Sequence, residues 1–331
     1  MCVQLVVHDW QAGLRADVWL CRTIARLGRD RAQLICYQGD LLDARGPLKA
    51  ASRVQPGTLE LWRLPPDLVS QASAWPTILY EDDDLLVLNK PAGIAIHPTA
   101  RYHHRTVTAW LAREGFGATQ PCHRLDVETS GVLLCARNPG AEITLKAAFS
   151  ARETQKTYLA VVRGELGDAL RIDQPLALQG ARGLVAIRMV PDPDGAPATT
   201  EVLPLALAAP YEPNRSLVAL RPHTGRQHQL RAHLAHVGHA IIGDKLYGMG
   251  DRWFDAWSTG ADAAPHGTLD HPSHALHAWR LAITFQGRPL RFEAPPPSAF
   301  PWPAAPWQSR AWPTNSRPEA ASTATDTPPL V

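Results

Sequence analysis

Residues 123–136 read His123-Arg124-Leu125-Asp126-Val127-Glu128-Thr129-Ser130-Gly131 and then Val132-Leu133-Leu134-Cys135-Ala136. A dense run of charged and hydroxyl residues thus passes without a break into five apolar ones. Such a pattern predicts a polar loop carried on the edge of a buried strand, which is where sheets hold functional groups. An Asx or Ser/Thr turn bent at Gly131 gives the same pattern, and spacing does not separate the two readings. The same alternation of short apolar runs with helical periods extends outward. Strand-like runs occur at Leu85–Leu88, Thr157–Val162 and Leu217–Leu220, and helical patterns at Ala141–Arg152 and Gln227–Val237. The expected fold class is therefore α+β, a mixed sheet with flanking helices, spanning about Thr77 to Pro295.

A second cluster, Arg221-Pro222-His223-Thr224-Gly225-Arg226-Gln227-His228-Gln229-Leu230-Arg231, follows the run Leu217–Leu220 and leads into a helical pattern. Three arginines and two histidines at a strand-to-helix junction suit a phosphate or a carboxylate, although a solvated helix start would look alike.

Upstream, residues 1–63 carry nine Lys/Arg against six Asp/Glu, a surplus of three where the whole 331-residue chain has only two. Helical spacing is expected over Ala16 to Leu27, with Arg22, Arg26 and Arg29 on one face, and again over Arg31 to Gln38, ending at Gly39 in a left-handed cap. Residues 64–76 read as a linker. Ten of the 30 prolines fall after residue 294, so residues 296–331 are expected to be a disordered Pro/Ala-rich tail in which Trp302, Trp307 and Trp312 are available to pack back. The five cysteines are scattered and unpaired by spacing, which suits a reducing compartment. No signal peptide and no apolar stretch near 18 residues is visible, so a cytoplasmic protein without membrane attachment is expected.

Four motifs in this order, LLVLNKPAGIAIHP (85–98), HRLDVETSG (123–131), KTYLA (156–160) and HTGRQHQLRAHL (223–234), resemble the RluA-type family of RNA pseudouridine synthases. The resemblance covers roughly residues 77–295 and implies that family's fold, with a mainly antiparallel sheet. Residues 1–63 resemble a small α/β S-four-like RNA-binding module, on one helix pair and RVQPGTLELW (53–62). Leu41-Leu42-Asp43-Ala44-Arg45-Gly46 stands where that module's hairpin usually has Val-Asn-Gly.

The resemblance implies an isomerase that converts specific uridines of structured RNA to pseudouridine, ribosomal RNA being favoured over transfer RNA. It further implies a monomer needing neither cofactor nor metal. Asp126 matches the family's essential aspartate and Arg124 the arginine that enters the RNA stack when the target base is flipped. Tyr158 matches the tyrosine against the uracil, and Arg231 the arginine paired with the aspartate. His123, Arg226 and His228 would shape the substrate pocket. The chemistry suits these residue types. An ionised carboxylate either attacks covalently or assists ribose deprotonation, an adjacent arginine keeps it ionised, and a phenol offers a stacking face and a hydroxyl.

Other readings fit less well. His228, His233, His236 and His239, with His266, His271, His274 and His277, are dense enough to suggest zinc, but their spacing is not that of HExxH and no Glu intervenes. Ser130 lacks the glycine-flanked elbow of a serine hydrolase and reads as a turn residue bonding near Asp126. Asp82-Asp83-Asp84 reads as a solvated turn, and Trp253 to His277, rich in Gly, Ala, His and Pro, as a long loop. A non-catalytic RNA-binding protein that keeps the fold is the alternative from a different class. It would be expected had Asp126, Tyr158 or Arg231 been replaced, and all three are present.

Overall fold

The computed structural model describes residues 2–24, 27–37, 39–62, 74–98, 105–180, 185–209, 212–259 and 269–302. These divide into two compact units, one within residues 1–70 and the other comprising the rest.

The first unit is a sheet of four antiparallel strands with two helices. Strands β1 (Cys2–Val7), β2 (Leu41–Asp43), β3 (Gly46–Pro47) and β4 (Gly57–Trp62) lie in the order β1-β4-β2-β3. Helices α1 (Ala16–Thr23) and α2 (Arg29–Tyr37) close one face through Trp19, Leu20, Ala32 and Ile35 against Leu41, Leu59 and Leu61. Helix α1 stops four residues short of the periodicity that runs to Leu27, because Ile24 turns extended. Gly39 takes the expected left-handed conformation after α2. The fully buried Asp17 carboxylate joins the helices, accepting from Arg15 Nε and Nη2 and from Gln33 Nε2, each at 3.0 Å.

The second unit is built on ten strands. They are β5 (Thr77–Glu81), β6 (Leu85–Lys90), β7 (Gln120–Pro121), β8 (Ser130–Ala136), β9 (Gln155–Arg163), β10 (Leu170–Asp173), β13 (Thr199–Ala209), β14 (Glu212–Pro222), β15 (Leu276–Phe285) and β16 (Arg288–Glu293). The main path is β10-β13-β14-β9-β15-β8-β6-β5, with β16 beside β15 and β7 beside β8. Strands β11 (Leu176–Leu178) and β12 (Met189–Pro191) form a separate hairpin. Between the named strands every pairing is antiparallel except β15 with β8, where His277 meets Ser130 and Ala278 meets Gly131. The mixed, mainly antiparallel sheet with few helices is thus the expected one.

Strand β8 is buried along its whole length because both faces are covered. Val132, Leu134 and Ala136 face Ala141, Leu145 and Ala148 of α4 (Pro139–Ala151), while Leu133 and Cys135 face Val107, Trp110 and Leu111 of α3 (Val107–Arg113). Both helices start where the sequence provides caps. Thr106 Oγ1 accepts the Ala109 amide at 3.1 Å, and Asn138 Oδ1 accepts the Ala141 amide at 2.9 Å with Pro139 in the first turn. The other half of the sheet packs Leu217–Leu220 and Leu159–Val162 beneath Leu230 and Leu234 of α5 (Gln229–His236).

Two sequence expectations are revised. Residues 251–259 form helix α6 (Asp251–Thr259) and Leu276 and His277 open β15, so the segment read as one long loop contains regular structure at both ends, residues 260–268 lying outside the described ones. Phe300 and Trp302 are buried in the core with Trp279, so the packed body runs past Pro295. Residues 303–331, with Trp307 and Trp312, lie outside the described residues, as does the linker up to residue 73. Asp82 does form a turn, its Oδ1 accepting the amides of Asp84 and Leu85.

Cys36, Cys122 and Cys135 are buried free thiols and Cys21 is half-buried, while nothing is described of the Cys2 side chain. Among the described residues no helix is long and apolar enough to cross a membrane.

Candidate active site

One row of the sheet assembles the site. Lys90 of β6 pairs with Gly131 of β8, Gly131 with Ala278 of β15, Ala278 with Tyr158 of β9, and Tyr158 with Leu220 of β14. The 123–129 loop enters this row at β8 and the 223–228 loop leaves it after β14. Residues far apart in sequence therefore converge at the seam where the two halves of the sheet meet.

Asp126 is the centre. Its Oδ2 accepts a hydrogen bond from Arg231 Nη1 at 2.9 Å and lies 4.0 Å from His228 Nε2, and its side chain is 20% exposed. Burial pushes the carboxyl up, but the Arg231 guanidinium, helped by His228 and His274, more than offsets that and holds it at about 2. The loop around it is tied down by backbone. The Val127 carbonyl accepts from the Gly93 amide at 2.8 Å and from Lys90 Nζ at 3.0 Å. Lys90 is fully buried and also donates to the carbonyls of Pro91 and Ile94 at 2.9 Å. Burial lowers its ammonium to about 7 against the pull of Asp126 and Glu128.

The other predicted residues fall around this carboxylate in different capacities. Tyr158 is half-buried at the junction of two core clusters, and burial, reinforced by the Asp126 charge, pushes its phenol well above the usual range, so it stays protonated. Arg124 is exposed at the loop's outer side. His123 anchors the loop, since its Nε2 accepts the Leu134 amide at 3.0 Å and its ring stacks on Phe149 with centroids 4.7 Å apart. Burial keeps it neutral, down to about 3. Arg226 donates from Nε to the Pro197 carbonyl at 3.1 Å, and its amide donates to Gln229 Oε1 at 3.0 Å. Gln229 pins this second loop further, its Nε2 donating to the Thr199 carbonyl at 2.9 Å. His228 takes a left-handed backbone ahead of α5, and burial lowers its imidazole to about 4.

Sequence reasoning missed the residues beneath. Arg231 donates from Nε and Nη2 to the two oxygens of Asp244 at 2.7 and 2.9 Å, a bidentate pair shielded from water. Lys245 Nζ donates to Glu128 Oε1 at 2.7 Å, and Glu128 Oε2 accepts the His274 amide at 3.0 Å. The available signal was Asp244-Lys245 set between Ile241-Ile242 and Leu246, two charges within an apolar run. Ser130 bonds to His277 Nδ1 at 2.8 Å, not near Asp126 as its turn reading supposed. Four of the histidines that suggested zinc have separate partners. His233 meets Thr200 Oγ1, His239 the Arg163 carbonyl, His274 Thr129 Oγ1 and His277 the Ala294 carbonyl. Among the described residues no three His, Cys, Asp or Glu side chains converge as metal ligands.

An arginine-paired carboxylate and a phenol raised by its charge thus share one seam of a mainly antiparallel sheet, and comparison with known proteins gives the family of the chain. The profile of the RNA pseudouridylate synthase family matches residues 84–236, and the chain belongs to the RluA-type RNA pseudouridine synthases, which are isomerases. Similar relatives include the ribosomal large subunit pseudouridine synthase D of Xanthomonas campestris pv. campestris, 34% identical over 89% of both chains. The tRNA pseudouridine synthase C of Pasteurella multocida is 42% identical over 52% of this chain and 74% of its own. Among solved structures, human RNA pseudouridylate synthase domain containing 1 is 28% identical and superposes with a TM-score of 0.53, covering 67% of this chain and 84% of its own.

Proposed function

We propose that this RNA pseudouridine synthase acts on ribosomal RNA, with Asp126 as the reacting carboxylate on a uridine flipped out of its stack. The observation that carries the reading is the Arg231 to Asp126 contact at 2.9 Å, which keeps a largely buried carboxylate ionised beside Tyr158. In the isomerisation the bond from uracil N1 to ribose C1′ breaks and one from C5 to C1′ forms. The C5 proton leaves and N1 gains one, so no redox partner is required. The ionised carboxylate supplies either the covalent attack or the base at the ribose. Tyr158, kept neutral, gives the detached uracil a stacking face and a hydroxyl that relays the C5 proton without being a standing base. Flipping costs a few kcal/mol, and the exposed Arg124, two residues before Asp126, fills the vacated stack. Arg226 and His228, with His123 behind the loop, complete the substrate pocket.

Ribosomal RNA is favoured over transfer RNA because relatives named for the ribosomal large subunit align over 89% of this chain, whereas two named for tRNA align over 56% and 52%. The first unit we read as an S-four-like RNA-binding module over residues 1–63, with 64–76 as linker and 77–295 as the catalytic domain. Its surplus positive charge supports that role, and the enzyme is read as a cytoplasmic monomer. Release of tritium from ribosomal RNA labelled at uridine C5 tests the reading directly, and labelled transfer RNA should release far less. Equal release from both would remove the ribosomal preference.

Two further outcomes are expected. RNA affinity should fall at least about tenfold between roughly 0.05 and 0.2 M salt, because phosphate contacts release counterions; a binding titration in which Kd stays level would contradict the electrostatic role. A carboxyl depressed below its ordinary value stays ionised until pH falls through about 2, so Asp126 should impose no acid limb. Single-turnover rates should accordingly be level on the acid side of the Lys90 transition near 7, from about pH 6 to about pH 5, and an acid limb near pH 5 would show that another group, or an unpaired Asp126, governs the rate.

A further inference from the structure

We infer that the turn between β1 and α1 carries a stacking site for an unpaired base of the RNA, formed by Trp10 with His8. The inference deepens the proposed function and rests on RNA being the substrate. Trp10 is 77% exposed, whereas Trp19, Trp110, Trp253, Trp279 and Trp302 are buried. An indole held in water forgoes the gain that covering its large apolar surface brings, so its position suits a residue that is covered by a partner. The imidazole of His8, also exposed, lies parallel to it within 5°, the centroids 6.2 Å apart. Two rings in one orientation present flat aromatic surface, and a nucleobase is the flat aromatic group that an RNA substrate offers.

The backbone beneath the rings is fixed. The His8 amide donates to Gln11 Oε1 at 3.0 Å, the Gln11 amide donates to the His8 carbonyl at 2.8 Å, and Gln11 is buried. Little ordering entropy is therefore lost when a base settles on the rings. The segment 49–54 runs alongside this turn, since the Gly13 amide donates to the Val54 carbonyl at 2.9 Å and the Ala16 amide to the Ser52 carbonyl at 2.8 Å. It brings two exposed cations, Lys49 and Arg53, and Arg53 Nη1 donates to the Gly13 carbonyl at 2.8 Å. Arg15 is committed to the buried Asp17 carboxylate and takes no part. Two cations against Asp9, the one exposed acid of the turn, favour a strand of phosphates over an apolar peptide. Stacking reads no particular sequence, so such a site adds affinity to the first unit without choosing the uridine that reacts.

Trp10→Ala in the full chain tests this. Its Kd for ribosomal RNA should rise about tenfold at fixed salt, with KM rising in parallel and kcat within about threefold of native. The slope of log Kd against log salt should stay as in the native protein, because stacking releases no counterions, whereas Arg53→Gln should flatten it by about 0.7. Trp10→Phe keeps a stacking ring and should bind within about threefold of native. A Trp10→Ala Kd within about twofold of native, or a loss in Trp10→Phe as large as that in Trp10→Ala, would overturn the inference. A native Kd with a changed oligomeric state would overturn it too, and assign the rings to a protein contact. Should Trp10→Ala fail to fold in a thermal melt, tryptophan emission decides. Ribosomal RNA should quench part of the native emission that Trp10→Phe lacks, and equal quenching in both overturns the inference. The two readings fail differently: a native enzyme that releases no tritium from ribosomal RNA removes the parent reading, whereas release and binding that are alike in native and Trp10→Ala proteins remove only this one.

Discussion

Asp126→Asn should abolish tritium release from labelled RNA, a loss of at least about four orders of magnitude, while RNA affinity stays within about threefold of native. Asparagine is nearly isosteric, and its amide oxygen can still accept from Arg231 Nη1, so the 123–129 loop keeps its anchors at Val127, Lys90 and His123. What disappears is the charge, and with it any ability to attack carbon or accept a proton. Arg231 remains paired with Asp244, so no uncompensated buried cation is created and the melting temperature should fall by only a few degrees. Removing a negative charge from an RNA-facing pocket does not weaken phosphate binding, so a loss of affinity would point to collapse of the loop. Full turnover would dismiss the carboxylate from the chemistry.

Asp126 is singled out by the resemblance to the RluA-type family, whereas the loop that carries it is legible from where the sequence concentrates its polar residues. Polar residues massed against an apolar strand mark a loop on a sheet, and Arg231 stands in an equally polar junction; both are local patterns that survive without coordinates. The row Lys90, Gly131, Ala278, Tyr158 and Leu220 is not local. Each residue's strand was readable from its apolar run, but which strands are neighbours is set by burial across the whole sheet. Asp244 and Lys245 were missed for the same reason, since their partners lie 13 and 117 residues away. The aromatic start of α6 was submerged when the whole of 253–277 was averaged into one loop-like composition. Phe300 and Trp302 were hidden similarly by the prolines around them, although a buried aromatic outweighs the local tendency of a proline-rich segment to remain unpacked.

Gly131→Ala should destabilise the second unit by on the order of 4 kcal/mol or more, read as a lowered urea midpoint. Gly131 has φ of +112°, a conformation that side-chain-bearing residues rarely adopt, and an added Cβ would stand 2.1 Å from the Ala278 carbonyl oxygen and 2.7 Å from its carbon and nitrogen. These are backbone atoms of β15 at its parallel pairing with β8, so no side-chain rotation relieves the overlap. The strands must part at the row that carries Lys90, Tyr158 and the Asp126 loop, and turnover should fall together with stability. Gly115→Ala separates the two causes. Its φ of +88° is also unfavourable, but nothing lies within 4 Å of the added carbon, so it should cost only about 1 kcal/mol and leave turnover unchanged. If both variants shifted the urea midpoint equally, backbone conformation alone would account for Gly131, and the close approach of β15 would have no part in holding the site together.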